Sequence, residues 1–299
     1  MIEIRDIYAD PMEAERFVRQ CESAFEGELN ETADSIAGTP GLRCVTLFGP
    51  TCSGKTTTAA KLTAAIEKNG RRARVLSIDN FYLEKDEMEA RGITDFEGPD
   101  AIDLELFKKT VSGLSAGAET CIPTFDFTLR KRAAFTRYTP DMRDIYIFEG
   151  IQAVYPEICA VLEPFGYKSV FISVQKDVSL LGEVIRKEDI RLVRRVIRDY
   201  YHRNASPEYT LSLWNNVREN EEKNILPGTQ YADFALNSLL PYEVLLTGKY
   251  FIPLTDGYPE NAVFCDKVSR LRRLLSMTGN TGVDVSMVPM NSVFREFIV

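Results

Sequence analysis

The residues that could do chemistry begin with a loop between two glycines, Gly49-Pro50-Thr51-Cys52-Ser53-Gly54-Lys55-Thr56. It fits G-x-x-x-x-G-K-[ST], the pattern of a loop that wraps the phosphates of a nucleoside triphosphate. The glycines let the backbone turn its N–H groups onto phosphate oxygens. Lys55 adds a positive charge for the β- and γ-phosphates, and the Thr56 hydroxyl can hold Mg²⁺. We therefore predict a nucleotide site here.

Two carboxylates follow apolar segments elsewhere in the chain. Asp79 comes directly after residues 74–78, and Glu149 directly after residues 145–148. Glu149 suits the role of a magnesium ligand, bound directly or through water, and Asp79 suits that of a base for an attacking hydroxyl. Each could instead be a helix cap or a turn former. Because His202 is the only histidine, proton transfer near neutral pH must fall mainly to carboxylates.

A basic segment, residues 187–203, could act on the same nucleotide. Its apolar residues form one helical stripe, and several arginines fall on the adjoining faces: Arg191, Arg194, Arg195 and Arg198. Arginines on one helix could close over a triphosphate and neutralise charge on the transferred group. The alternative is a solvated face with salt bridges.

Strands that alternate with helices must position these side chains. The candidate strands are residues 43–48, 73–78, 144–148, 169–174 and 233–236. A helix is predicted from Lys55 to Asn69, with Gly70 just past its end. Such alternation predicts an α/β fold, a parallel sheet with helices on both faces, in which ligands gather at the carboxyl ends of the strands.

The regions outside the core are predicted from weaker signals. Residues 1–40 are interpreted as a helical extension, with a helix start at Asp10. The core is assigned to residues 41–250, with a helical lid at about 177–226, and residues 251–299 to an extension packed on the core.

Composition excludes several classes of protein. The 299 residues are 44% hydrophobic and 27% charged, which is typical of a globular protein with a sizeable core. The net charge of −8 argues against general nucleic-acid binding. No apolar run approaches a membrane span, the N-terminus does not resemble a signal peptide, and the six cysteines form no C-x-x-C pair. We expect a cytoplasmic protein with reduced thiols.

The motifs together resemble the uridine kinase and phosphoribulokinase group of P-loop kinases, most closely uridine/cytidine kinase. The resemblance covers roughly residues 42–240. It depends on the phosphate loop and on five further segments: Ser77-Ile78-Asp79-Asn80-Phe81-Tyr82, Phe96-Glu97-Gly98-Pro99-Asp100-Ala101-Ile102-Asp103, Pro123-Thr124-Phe125-Asp126-Phe127, Phe148-Glu149-Gly150-Ile151 and Arg191-Leu192-Val193-Arg194-Arg195-Val196-Ile197-Arg198-Asp199.

The resemblance implies a role for each matching residue. Asp79 would be the base for a nucleoside 5′-hydroxyl, and Thr56 and Glu149 would serve magnesium. ATP would be bound by the loop together with Thr57, Arg194 and Arg195. The acceptor would be bound by residues from several segments: Asp79, Tyr82, Glu97, Phe125, Phe127, Arg130, Ile151 and Arg191. The aromatic residues of this set could equally be core.

Two departures from the family pattern affect the acceptor. Uridine kinases typically have Phe-Asp-His-Pro-Asp, whose first Asp holds the ribose hydroxyls, where this chain has Glu97 and Gly98. Phe125 replaces a tyrosine, and Arg130 stands where a histidine would read the pyrimidine edge. Arginine only donates hydrogen bonds, so Arg130 could serve a uracil carbonyl or an acceptor phosphate or carboxylate.

These patterns predict an ATP- and Mg²⁺-dependent kinase acting on the 5′-hydroxyl of uridine or cytidine. The alternative acceptor is another sugar-like or phosphorylated metabolite, as in phosphoribulokinase-like enzymes. A GTPase-like switch is disfavoured because Asp95-Phe96-Glu97-Gly98 matches D-x-x-G but no N-K-x-D follows. The intact Lys55, Thr56, Asp79 and Glu149 argue against a non-catalytic binding module. The choice between ATP and GTP and the oligomeric state, a homo-oligomer among the options, stay open.

Overall fold

A computed structural model describes residues 1–4, 8–93 and 98–298. The strands are β1 (Ile2–Ile4), β2 (Cys44–Phe48), β3 (Ala73–Ser77), β4 (Thr120–Asp126), β5 (Lys131–Tyr138), β6 (Ile145–Glu149), β7 (Tyr167–Ser173), β8 (Val178–Leu180), β9 (Glu183–Ile185) and β10 (Phe234–Asn237). The α-helices are α1 (Pro11–Gly38), α2 (Lys55–Lys68), α3 (Lys85–Ala90), α4 (Leu104–Ser115), α5 (Pro156–Leu162), α6 (Lys187–Arg203), α7 (Pro207–Ser212), α8 (Trp214–Asn220), α9 (Glu243–Leu254) and α10 (Cys265–Ser276).

The core is a five-stranded parallel sheet in the order β10-β7-β2-β6-β3. All residues of β2 and β6 are buried, as expected for strands covered on both faces. Because β2 lies between β6 and β7, the strand order reverses there, and the crevice beyond its carboxyl end is where such sheets bind ligands. The predicted α/β fold is confirmed, and the predicted strand boundaries differ from the observed ones by at most two residues.

Two apolar clusters cover the faces of the sheet. One includes residues of α1, α2, α6, α9 and α10, and the other includes residues of α4 and α5. Helix α1 begins as predicted, because the Asp10 carboxylate accepts a hydrogen bond from the Met12 backbone N–H at 2.7 Å. It packs along α2 and supplies Val18, Leu29 and Ile36 to the first cluster.

Two smaller sheets were not predicted. β4 and β5 form an antiparallel hairpin with a register shift between Thr124 and Phe125. β1 pairs in parallel with β8, which pairs antiparallel with β9. The hairpin carries two of the predicted acceptor residues, Phe125 in β4 and Phe127 in the turn that follows.

The C-terminal segment packs against the helix that follows the phosphate loop. Val293, Phe294 and Phe297 are fully buried, and a short helical turn at Val293–Glu296 contacts α2. The chain end therefore belongs to the same packed body as the nucleotide loop. Over the described ranges, no helix has the length and apolar composition needed to cross a membrane.

Candidate active site

The phosphate loop connects β2 to α2, and its two glycines are required by the backbone. A Cβ on Gly49 would lie 2.0 Å from the Ile172 carbonyl oxygen of β7. Gly54 has φ +86°, a left-handed conformation that side chains disfavour, and a Cβ there would lie 2.2 Å from Val293 Cγ1. The loop can therefore approach its neighbours only with glycine at both positions.

Three polar side chains of the loop, those of Lys55, Ser53 and Thr56, have different surroundings. The Lys55 ammonium donates to the carbonyl oxygens of Gly49 at 3.0 Å and Pro50 at 3.1 Å. The Ser53 hydroxyl is fully buried and has no hydrogen-bond partner among the described residues. Thr56, in the first turn of α2, is exposed. This turn presents helix N–H groups and a positive dipole end, both of which favour an anion.

Glu149 is the last residue of β6, the strand that lies between β2 and β3 in the sheet. It pairs with Leu47 of β2 and Ser77 of β3, so it lies beside the start of the phosphate loop. Burial raises the pKa of Glu149 to about 7; the charge of Lys55 opposes this shift, and the charges of Asp79 and Glu296 reinforce it. The carboxyl group is therefore poised to change protonation near neutral pH.

Asp79 lies in a short turn, Ile78–Phe81, just after β3. The Gln152 amide donates to Asp79 Oδ1 at 3.1 Å and to the Tyr82 hydroxyl at 2.6 Å. Burial raises the pKa of Asp79, and the Gln152 hydrogen bond and the charges of Lys55 and Arg203 oppose that shift. A half-buried carboxylate with a raised pKa is suited to accept a proton.

Sequence reasoning missed Gln152, although its amide contacts both Asp79 and Tyr82. The residue is buried, and its Oε1 has no hydrogen-bond partner within the described residues. An uncharged amide in a four-residue turn belongs to no chemical motif. Its position three residues after Glu149, at the same strand end, was the available signal.

Arg191 of α6 contacts the backbone of the phosphate loop. Its guanidinium forms a two-pronged ion pair with Glu221 at 2.6 and 2.7 Å and donates to the Thr51 carbonyl oxygen at 3.2 Å. Glu221 also accepts from the Thr51 N–H at 3.3 Å and from Arg218 at 2.6 Å. The charge of Arg191 is thus paired with that of Glu221 next to the loop.

Arg194 makes the equivalent contact one turn further along α6. It is completely buried, forms a two-pronged pair with Glu243 at 2.7 Å for both bonds, and donates to the Cys52 carbonyl oxygen at 3.2 Å. Arg195 pairs with Asp199 at 3.3 Å. The predicted contacts of these arginines with ATP or acceptor stay predictions, since each guanidinium is held by a carboxylate.

The predicted oxygen ligands near the loop fit magnesium. Mg²⁺ is usually bound through one or two carboxylates together with substrate phosphates and water. The Thr56 hydroxyl and the Glu149 carboxylate provide such a set at the ends of α2 and β6. The predicted metal ligands are therefore chemically suited to Mg²⁺.

Three predicted acceptor residues form an aromatic cluster. The ring centroids of Tyr82, Phe125 and Phe127 lie 5.9 Å, 5.9 Å and 5.2 Å apart in the three pairs. Tyr82 and Phe125 are each 9% exposed and Phe127 is 57% exposed. The Asn80 side chain accepts a hydrogen bond from the Phe125 N–H at 3.0 Å, which fixes the hairpin against the Asp79 turn. One face of the cluster is open to solvent.

Two further predicted acceptor residues, Arg130 and Ile151, lie on separate turns. Arg130 is exposed in the hairpin turn, where its φ is +51°, and its carbonyl accepts from the Lys85 N–H at 3.1 Å. Ile151 is half-buried at the start of the turn that contains Gln152. Glu97 lies outside the described residues.

Two cavities lie near the phosphate loop. One of about 600 Å³ is lined by Thr46, Phe48, Tyr155 and Tyr231 among others, and none of the predicted site residues that the structure describes lines it. The other, about 290 Å³, touches the loop at Pro50 and includes Arg191 in its wall. Asp79 lines neither of these two cavities.

A family model supports the interpretation of these motifs. The model described as Phosphoribulokinase / Uridine kinase family matches residues 44–244. This chain belongs to that family. The matched region contains the loop, both carboxylates, the aromatic cluster and α6, and it excludes α1, most of α9, α10 and the C-terminal segment.

Individual curated relatives share 25% to 31% sequence identity with this chain in the two cases below. Uridine-cytidine kinase C of Dictyostelium discoideum is 25% identical over 254 residues, which are 84% of this chain and 51% of that protein. Uridine-cytidine kinase 2-B of Danio rerio is 31% identical over 62% of this chain and 69% of its own. This chain thus spans about half the length of the Dictyostelium relative.

A solved structure of a possible uridine kinase from Bacillus stearothermophilus also resembles this family member. It covers 70% of this chain and 97% of its own at 18% identity, with a TM-score of 0.48. A likeness at this level says nothing about a shared substrate.

Proposed function

We propose that the protein is a kinase that transfers the γ-phosphoryl group of ATP to the 5′-hydroxyl of uridine or cytidine. The observation that carries the proposal is the environment of Asp79. Its carboxylate belongs to a half-buried residue, is held by Gln152, and is electrostatically coupled to Lys55 of the phosphate loop. A carboxylate in this position can accept the proton of a hydroxyl placed in line with the bound triphosphate.

The donor side of the reaction is assigned to the loop and α2. The loop N–H groups and Lys55 hold the phosphates, which requires the ammonium to leave the carbonyls of Gly49 and Pro50. Thr56 and Glu149 would hold Mg²⁺, which supplies positive charge against the phosphate oxygens when bound. Positioning and charge stabilisation account for most catalysis in phosphoryl transfer.

Among the arginines of α6, Arg203 is the one that we expect to approach the transferred group. Its side chain is 61% exposed, and its positive charge lowers the pKa of Asp79, so it lies near the reacting side. Arg194, in contrast, is enclosed with Glu243. Arg203 pairs with Asp199 at 3.7 Å, whereas Arg191, Arg194 and Arg195 would reach a ligand only after leaving closer carboxylate partners.

Stacking on Tyr82, Phe125 and Phe127 supports a nucleoside acceptor. The exposed face of Phe127 offers a planar apolar surface, and the relatives named uridine-cytidine kinases make a pyrimidine nucleoside the first choice.

Arg130 supports a second candidate, a phosphorylated sugar-like acceptor. Its side chain is exposed in the hairpin turn beside the aromatic cluster, and a guanidinium binds phosphate well. The neighbouring Arg132 is already paired with Asp103 at 2.5 Å, so the local positive charge is partly neutralised. That pairing favours the nucleoside.

A screen of ATP consumption tests both candidates. ADP release is measured with uridine, cytidine, ribulose 5-phosphate and other sugar phosphates, with Mg²⁺ present. We expect turnover with uridine or cytidine. Inert nucleosides together with turnover of a sugar phosphate would reverse the choice, and ATP binding without turnover of any acceptor would contradict the kinase proposal.

A further inference from the structure

A glutamate from the far end of the chain lies on the first turn of α2. Glu296 Oε2 accepts a hydrogen bond from the Thr57 backbone N–H at 3.1 Å and another from the Thr57 hydroxyl at 3.0 Å. Thr57 is the third residue of α2, directly after the Lys55-Thr56 pair of the phosphate loop. Residue 296 lies outside the matched residues 44–244, so the family pattern does not explain this contact.

The position of this carboxylate matters because of what the loop binds. The first N–H groups of a helix have no acceptor within the helix, and in a phosphate loop they cradle the α- and β-phosphates of the nucleotide. A carboxylate oxygen and a phosphate oxygen cannot both accept from the Thr57 N–H. The Glu296 charge also reinforces the raised pKa of Glu149, so it acts on the interior of the site.

The backbone that carries Glu296 is firmly anchored. Val293 packs against Gly54 of the loop, Phe297 is fully buried, and the Arg194 guanidinium lies 4.7 Å from the Phe297 ring centroid. The Glu296 side chain itself is only partly buried. Its carboxylate can therefore rotate out of the loop while the segment stays in place.

We propose that Glu296 tunes nucleotide affinity by occupying the phosphate position at the Thr57 N–H until the nucleotide displaces it. This inference rests on the proposed nucleotide-binding function. The alternative is that Glu296 only caps the N-terminus of α2 through its hydrogen bonds to Thr57. A cap would affect stability and leave nucleotide affinity unchanged, so the two roles are separable.

The test is the affinity of the full chain for ADP and ATP with Mg²⁺, measured by isothermal titration calorimetry. Glu296→Gln keeps the shape and an acceptor oxygen but removes the charge. We expect binding about 3- to 10-fold tighter than in wild type, because an anion at a helix N-terminus is replaced by a weaker, neutral competitor. Glu296→Asp keeps the charge but shortens the reach to Thr57, and we expect a gain in the same direction.

The matched control is Glu260→Gln, which changes an exposed glutamate in the C-terminal region and should leave affinity unchanged. Equal or weaker nucleotide binding by both Glu296 variants, while wild type binds, would overturn the inference and leave the proposed function standing. If neither wild type nor any variant binds ADP or ATP, the proposed function fails and the inference fails with it.

Discussion

The donor side and the acceptor side of the candidate site are built in different ways. The phosphate loop has its shape fixed by close backbone approaches at Gly49 and Gly54 and by the completely buried Arg194. The acceptor side is a solvent-facing hairpin whose Phe127 is 57% exposed and whose Arg130 is exposed. We expect the rigid packing to preserve the phosphate chemistry and the open hairpin to leave the choice of acceptor to a few exposed side chains.

Asp79 joins the two sides, and its removal should have the largest effect. Asp79→Asn keeps the shape but cannot accept the hydroxyl proton, so kcat should fall by about 10²- to 10⁴-fold while ATP affinity is retained. Steady-state kinetics and calorimetry check the two parts. Asp86→Asn, which alters a carboxylate that is 78% exposed on α3, should leave both unchanged. A comparable loss in the Asp86 variant would remove Asp79 from its proposed role.

Breaking the buried ion pair between Arg194 and Glu243 should have the next largest effect, a loss of stability. Arg194→Met leaves Glu243 buried without its partner, and the free energy of unfolding should fall by about 3–5 kcal/mol in a denaturant titration. Adding Glu243→Leu should recover part of the loss, because an apolar pair removes the unpaired charge. Arg203→Met, at an exposed position, should cost little stability. Equal losses for the two arginines would contradict the contrast between buried and exposed positions on α6.

The protonation of Glu149 should make magnesium binding depend on pH. Since burial raises its pKa to about 7, the carboxyl is protonated below that pH and must lose its proton to bind the metal. Magnesium affinity should therefore fall by about tenfold per unit as the pH drops below 7. Glu149→Gln should abolish this dependence. A wild-type affinity that is flat between pH 5 and 7 would exclude Glu149 as the ligand.

The raised pKa of Glu149 also makes the stability of the metal-free protein depend on pH, with the opposite sign: stability falls as the pH rises. A carboxyl whose pKa is raised by folding contributes stability that is complete below its ordinary pKa of 4.5 and is lost as the pH rises through about 7. Thermal unfolding without metal should therefore show Glu149→Gln gaining stability relative to wild type above pH 7.

Substitution of Phe127, at the open edge of the aromatic cluster, should have the smallest effect, and that effect should be confined to acceptor binding. Phe127→Ala should raise the KM for the acceptor by about 3- to 10-fold, from the loss of one aromatic contact, with little change in ATP affinity. Phe135→Ala is the control, since this 51% exposed phenylalanine of β5 is not part of the cluster. An unchanged acceptor KM for Phe127→Ala would remove that ring from the site.

The same comparison explains what the sequence could predict. The central strands were predictable because fully buried parallel strands are continuous apolar runs, and the loop because its motif demands glycine. The carboxylates at the ends of β3 and β6 followed from that topology. The short strands β1, β8 and β9 carry three residues each, too few for a periodic pattern to stand out.

The contacts that organise the site were not predictable. Arg194 meets Glu243 across 49 residues of sequence, and Thr57 meets Glu296 across 239. Charge and propensity do not specify such pairings; only the packing of α6, α9 and the chain end brings them together. Gln152 belongs to no chemical motif, and its only signal was its position three residues after Glu149.

The central claim is phosphoryl transfer to a pyrimidine nucleoside through Asp79. The most direct measurement is chromatographic detection of uridine or cytidine 5′-monophosphate after incubation of the protein with ATP, Mg²⁺ and each nucleoside. We expect wild type to form monophosphate in an amount that matches the ADP released, and Asp79→Asn to form almost none. Tight ATP binding without either monophosphate, or full product from Asp79→Asn, would contradict it.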